Sequence, residues 1–227
     1  MVEENWQKAN IWEIKAYDKY GRYGPLPPPS PNTNKLSDMF GVNGIWGWGH
    51  GIYSDLLAPG EGAYKYSQIC SHARNYHNMS WDINDPDDVP DFNEMPGSLA
   101  QWWLDWDREY EVWNSAGLDV IASIQFSNST QPESSWDNPY QAAYNYGFAF
   151  AQHFGPGVGN GLVRRIEVGN EPWDYQASFY REVLQGMAEG VKAADPDLLV
   201  FPCALQAVDS SAEVGNYLNY AGVRLLD

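Results

Sequence analysis

"RRIEVGNEPW", residues 164–173, is the stretch on which the reading of the fold turns. Ile166 and Val168 alternate with Arg165 and Glu167, and then Gly169, Asn170, Glu171, Pro172 and Trp173 end the run. Alternation followed by glycine and proline describes a β-strand with an abrupt exit. The exit leaves an amide and a carboxylate side by side at the strand tip. Alone, Asn-Glu-Pro is an ordinary turn, so its meaning depends on the architecture around it.

Working outward, the stretch sits in a rhythm of strands and helices. Residues 118–126, "LDVIASIQF", precede it as a buried strand. Between the two, "NPYQAAYNYGFAFAQHFG" predicts a helix with Asn138 as its cap and Pro139 at the first helical position. Before these, "SLAQWWLDWDREYEVWNSAG" predicts a helix that opens on a Ser98/Gln101 capping box and buries Leu99, Trp102, Trp103, Trp106, Tyr110 and Trp113. A strand is expected near 72–77, and residues 38–46, "DMFGVNGIW", read as the first strand. Downstream, "YQASFYREVLQGMAEGVKAADP" is a helix stopped by Asp195-Pro196, and residues 198–206 form a fifth strand. A further helix follows, and "VRLLD" begins a sixth strand.

Alternating apolar strands and helices mean an α/β protein with a parallel sheet. A doubly wound dinucleotide fold would place a Gly-x-Gly-x-x-Gly loop after its first strand. Here that strand leads into "GVNGIWGWGHG", whose aromatic rings obstruct a pyrophosphate. The other glycine-rich stretch, "GPGVGNG" at 155–161, stands between a helix and a strand, which is the wrong order, and reads as a loop. The expected fold is therefore a TIM (β/α)8 barrel, incomplete, with about five and a half β/α units present. Residues 38–227 form its N-terminal part, 25–37 a Pro-rich linker, and 1–24 the tail of a preceding module.

The bulk properties narrow the function. The 227 residues carry a formal net charge of −17, which opposes binding to nucleic acid or to anionic membranes. No apolar run is long enough to span a bilayer. Cys70 and Cys203 are expected as two buried thiols. The four histidines lack metal-ligand spacing, so no metal and no cofactor is expected. The acidic run 82–91 lacks the glycine and closing glutamate of an EF-hand and reads as a solvated loop. Eleven Trp and 15 Tyr exceed what a core needs and suit a ligand with flat apolar faces, such as a sugar.

In a barrel the site lies at the C-terminal ends of the strands. Those ends carry Asn43, Trp46 and Trp48, then His77, then Gln125, then Asn170, Glu171 and Trp173. Amides, aromatics and one well-placed acid suit many hydroxyl groups. Glycoside hydrolysis needs a carboxylic acid to protonate the leaving oxygen and a second carboxylate as nucleophile or base. Glu171 is the candidate acid, and Asn170 the candidate partner of a substrate hydroxyl.

"RIEVGNEPW" resembles the Asn-Glu-Pro motif of clan A glycoside hydrolases, in particular family 39-like and agarase-like enzymes. "FGVNGIWGWG" and "ARNYHNMSWD" are similar to their first and second strands. The resemblance implies a retaining enzyme with Glu171 as acid/base and Asn170 on the sugar 2-hydroxyl. It also implies that Arg74 is the second-strand arginine of the substrate site. The clan's nucleophile ends a seventh strand, which this sequence does not reach, and Glu167, deeper in the fourth strand, is expected to balance Arg74 or Arg165. The chain alone is then expected to hold half a catalytic pair and to be inactive without the missing C-terminal barrel portion. "IWEIKAYDKYG" resembles the closing strand of discoidin-like carbohydrate-binding modules. A polysaccharide substrate implies a secreted or periplasmic protein. The alternative is a non-catalytic carbohydrate-binding protein on the same scaffold.

Overall fold

The strands find their partners in sequence order, and that order defines the architecture. The computed structural model describes residues 39–43, 61–93 and 105–203, all within the second of the two units into which the chain divides, 35–227. The strands are β1 (Gly41–Asn43), β2 (His72–Asn78), β3 (Asp119–Gln125), β4 (Arg165–Val168) and β5 (Leu199–Pro202). They form one sheet in the order β1-β2-β3-β4-β5, every pair parallel. A doubly wound sheet reverses its strand order in the middle, and this one does not. Successive right-handed crossovers then lay every helix on the same face, which is the winding of a barrel wall. The chain tail, the linker and the start of the sixth strand lie outside the described residues.

Burial alternates accordingly. Ala73, Asn75 and His77 of β2, Val120, Ala122 and Ile124 of β3, and Ile166 and Val168 of β4 are buried. The other face, with Arg74, Tyr76, Ile121, Gln125, Glu167 and Phe201, is half-buried. The helices covering the first face are α1 (Glu61–Ser67), the short α2 (Met79–Asp82), α3 (Trp106–Ser115), α4 (Pro139–Phe154) and α5 (Ala177–Ala194). α4 begins as its sequence predicts: Asn138 accepts from the Gln141 N–H at 3.1 Å. α3 does not. Asp105, in extended conformation, caps it by accepting from the Arg108 N–H at 3.0 Å, so α3 starts at Trp106, and the Ser98/Gln101 box lies outside the described residues. A short aspartate next to a free N–H supplied a cap that the longer apolar periodicity concealed. Trp106, Tyr110 and Trp113 are buried as expected, whereas Trp102 and Trp103 fall outside the described residues.

α4 and α5 pack closely because α5 has glycine where they cross. A Cβ on Gly186 or Gly190 would stand 2.1 Å from the carbonyl oxygen of Tyr140 or Tyr144. Around this crossing Tyr146, Phe150, Tyr180, Leu184 and Met187 are fully buried, each contributing about 1.5–3 kcal/mol of burial.

The glycine loop at 155–161 is an anion cradle whose anion is internal. Asp195, with 0% exposure, accepts from the N–H groups of Gly157 at 2.7 Å, Val158 at 3.1 Å and Asp197 at 2.9 Å. A Cβ on Gly155 would meet the same carboxylate at 2.2 Å, so the carboxylate occupies the space that a side chain would need.

Candidate active site

β4 delivers its tip residues through two unusual backbone steps. Gly169 has φ 86, and Glu171 has φ 53 and ψ 60. Glu171 is the one non-glycine residue with positive φ among the described residues. A left-handed residue costs roughly 1–2 kcal/mol when it carries a Cβ, and such strain concentrates at functional sites. Pro172 follows and opens a 3-10 turn over Pro172–Asp174. Glu171 itself is exposed.

Arg74 gathers the strand ends. Its Nε donates to Glu167 Oε2 at 2.5 Å, its Nη1 to Asn43 Oδ1 at 2.8 Å, and its Nη2 to Ser123 Oγ at 3.0 Å and Asn170 Oδ1 at 2.9 Å. One side chain thus ties β1, β2, β3 and the β4 tip together. The Arg74 and Glu167 side chains are 21% and 17% exposed. Burial would lower the arginine pKa, but the hydrogen bond and the charge of Glu167 outweigh it and hold the guanidinium above its ordinary value. Because Asn170 Oδ1 accepts from Arg74, its Nδ2 donors are left to face a ligand. Ser123 Oγ in turn donates to Gly169 O at 3.0 Å, fixing the turn into Asn170.

Two further supports hold the tip. From α5, the Tyr180 hydroxyl donates to Val168 O at 3.0 Å and lies 3.1 Å from Cys203 Sγ, linking the ends of β4 and β5. Burial pushes the Cys203 thiol up to about 11, so it stays a neutral packing group. The loop after β3 braces the turn after Glu171. Asn128 Nδ2 donates to Asp174 O at 3.3 Å, the Gln176 N–H donates to Glu133 Oε1 at 2.5 Å, and the Tyr175 hydroxyl donates to Gln131 O at 2.8 Å.

Of the residues singled out from sequence, the structure brings Asn43, Arg74, Asn170 and Glu171 to one edge, with Gln125 on the same half-buried face of β3. Trp46 and Trp48, and the side chain of Trp173, lie outside what is described. His77 is a correction. It points to the helix side and is fully buried, with Nδ1 2.6 Å from the Tyr110 hydroxyl, Nε2 2.8 Å from Asp82 Oδ2, and its ring stacked at 3.9 Å on Trp106. The period of two in β2 decides this: Arg74 and Tyr76 face inward, so His77 cannot. Asp82 is likewise a buried acceptor, held also by Trp106 Nε1 at 2.8 Å and the Tyr146 hydroxyl at 2.6 Å, and not part of a solvated loop. Cys70 and Cys203 are both buried and neither is in a disulfide, as the sequence implies. Among the described residues, no group of His, Cys, Asp and Glu is placed to hold a metal. Sequence reasoning missed Ser123, Tyr180 and Asn128. The inward register of Ser123, two residues before Gln125, was the signal available for the first. Nothing local marks the other two.

A singly wound parallel sheet with helices between its strands is part of the wall of a TIM (β/α)8 barrel, and that is the fold of this chain, shared with glycoside hydrolase structures. No family model and no curated protein matches the sequence. Among solved structures, the chain is similar to a family 39 glycoside hydrolase from the gut symbiont Bacteroides cellulosilyticus WH2, with a TM-score of 0.51 at 14% identity over 79% of this chain and 34% of that one. It is also similar to the endoglucanase Cel5A of Pseudomonas stutzeri, with a TM-score of 0.51 at 13% identity over 71% and 50%. A glucosidase from Croceicoccus marinus gives a TM-score of 0.50 at 19% identity over 81% and 41%. At these identities the likeness is one of fold, and the chain spans half or less of each matched structure.

Proposed function

We propose that the protein is a retaining glycoside hydrolase that cleaves a poly- or oligosaccharide, with Glu171 as general acid and then general base. The observation that carries this reading is the strained, exposed Glu171 at the β4 tip, beside an amide whose orientation Arg74 sets. The acid donates its proton to the glycosidic oxygen as the bond to the anomeric carbon breaks. It then takes a proton from the water that releases the sugar. Asn170 Nδ2 holds a hydroxyl next to the reacting carbon, where an interaction that strengthens in the transition state speeds the reaction.

The second carboxylate is not found at the strand tips of the described sheet. Glu167 is engaged by Arg74 and lies four residues before Glu171, so it does not serve. On this reading a strand beyond β5 supplies the nucleophile. A polymeric substrate implies a secreted or periplasmic protein.

The test is turnover of aryl glycosides and polysaccharides by residues 1–227 and by the natural full-length protein, each with and without Glu171→Gln. Activity confined to the full-length protein and lost in the variant supports the proposal. Robust turnover by residues 1–227, abolished by Glu171→Gln, would overturn the external nucleophile. Glycan binding without turnover in the full-length protein would favour a carbohydrate-binding role on the same scaffold.

A further inference from the structure

If the protein is a glycoside hydrolase, the aim of its acid matters as much as its presence. The Glu171 side chain is exposed, so the backbone beneath it decides where the carboxyl points. That backbone has φ 53 and ψ 60, a conformation that persists only where its surroundings over-determine it. The peptide between Val168 and Gly169 is held at both ends. Val168 O accepts from the Tyr180 hydroxyl at 3.0 Å, and the Gly169 N–H donates to Ile124 O at 2.8 Å. The next peptide is held through Gly169 O, which accepts from Ser123 Oγ at 3.0 Å. The one after it carries the N–H of Glu171 itself.

Tyr180 and Cys203 stand beside that peptide. Val168 pairs with Pro202, so Cys203 lies one step past the last pair of the β4–β5 ladder, level with the turn. The Tyr180 ring lies against the same turn: a Cβ on Gly169 would stand 3.5 Å from its Cε2. Counting protons gives the hydrogen bonds a direction. The tyrosine proton goes to Val168 O, so the hydroxyl oxygen accepts, from the thiol at 3.1 Å and from the Cys203 N–H at 3.4 Å. The sulfur, having given its proton, is left as an acceptor. Burial raises the thiol to about 11, and the Glu171 N–H is one of the hydrogen-bond donors that pull it back, together with the Tyr180 hydroxyl. The Glu171 N–H therefore faces the sulfur.

We propose that Tyr180 and Cys203 are positioning residues, whose row of hydrogen bonds from the Glu171 N–H through thiol and phenol to Val168 O fixes the acid in its left-handed conformation. All bonds in the row point the same way, so each polarises the next. The inference rests on the glycoside hydrolase reading and adds to it what keeps the acid in place. Tyr180 and Cys203 are 1% and 5% exposed, so they act through Glu171 and not on the substrate. A misplacement of about 1 Å in such a group costs on the order of 100-fold in rate.

The test compares Tyr180→Phe, Cys203→Ala and Cys203→Ser with the parent, in whichever form of the protein, residues 1–227 or longer, turns over a glycoside. kcat/KM is measured on cello-, xylo- and agaro-oligosaccharides and on dinitrophenyl glycosides of the same sugars, whose leaving group needs no protonation. Tyr180→Phe and Cys203→Ala should lose about 10- to 100-fold on the oligosaccharides and less than about threefold on the dinitrophenyl glycosides. Cys203→Ser, which still gives and takes a hydrogen bond, should recover most of the loss. In the same protein, exchange of the Glu171 amide proton, followed by NMR, should quicken about tenfold in Cys203→Ala and return towards the parent rate in Cys203→Ser. Equal losses on both kinds of substrate, no rescue by serine, or an unchanged amide exchange overturns the inference and leaves the hydrolase reading intact. No turnover of any glycoside by any form of the parent refutes the hydrolase reading and the inference with it.

Discussion

Replacing Glu171 by glycine should make the protein more stable and inactive at once. With φ 53 and ψ 60, Glu171 occupies the left-handed region just before a proline. Its side chain is exposed and makes no capping hydrogen bond, so removing it forfeits little packing. Glycine relieves about 1–2 kcal/mol of strain, while the looser unfolded chain takes back about 0.4–1 kcal/mol. The net gain is roughly 0.5–1 kcal/mol, or a rise in Tm of about 2 °C for a domain of this size. Alanine keeps the Cβ and therefore the strain, so Glu171→Ala should fall within about 0.5 kcal/mol of the parent. On the proposed function, loss of the acid should cost about 100- to 10,000-fold in turnover of an unactivated glycan for either variant. Urea unfolding of the two variants beside the parent measures the difference. A glycine variant less stable than the alanine variant would refute the claim that this backbone is held against its own preference.

Other consequences concern the scaffold. Gly190→Ala should destabilise by about 1–3 kcal/mol despite its better helix propensity, because its Cβ would stand 2.1 Å from Tyr144 O; thermal unfolding checks this. Asp195→Ala empties the glycine cradle and leaves the N–H groups of Gly157, Val158 and Asp197 without their buried acceptor; a loss of about 2–4 kcal/mol is expected by urea titration. Burial raises Tyr110, Tyr146 and Tyr180 well above the usual tyrosine value. Unfolded tyrosines ionise near pH 10, so the folded state binds more protons above that pH. Stability is then whole below about pH 9 and falls by about 1.4 kcal/mol per pH unit for each of the three as pH rises beyond 10. Absorbance at 295 nm should show these tyrosines ionising together with unfolding.

The winding was legible because apolar strands and capped helices alternate with little noise. The Asn138-Pro139 start of α4 needed only local chemistry, and the observed cap agrees. The start of α3 was not legible, since the apolar periodicity runs straight through Asp105 and only the folded backbone shows the cap there. Within the site, Asn43, Arg74, Asn170 and Glu171 follow from strand register and the motif. His77 failed because strand ends were read without counting which face each residue presents. Tyr180 and Asn128 act across elements 12 and 46 residues distant in sequence, through contacts that no local pattern encodes. The strain at Glu171 was hidden as well: the sequence shows a proline after the acid, not the sign of the acid's φ.

The proposed role of Glu171 as proton donor is tested most directly by Glu171→Ala, assayed on a dinitrophenyl glycoside with and without azide. That leaving group needs no protonation, so the variant should still release it in the first step. Azide should then speed turnover and be recovered as a glycosyl azide of retained configuration, while natural glycans go uncleaved. Equal loss on both substrates with no response to azide, or undiminished cleavage of the natural glycan, would contradict the account.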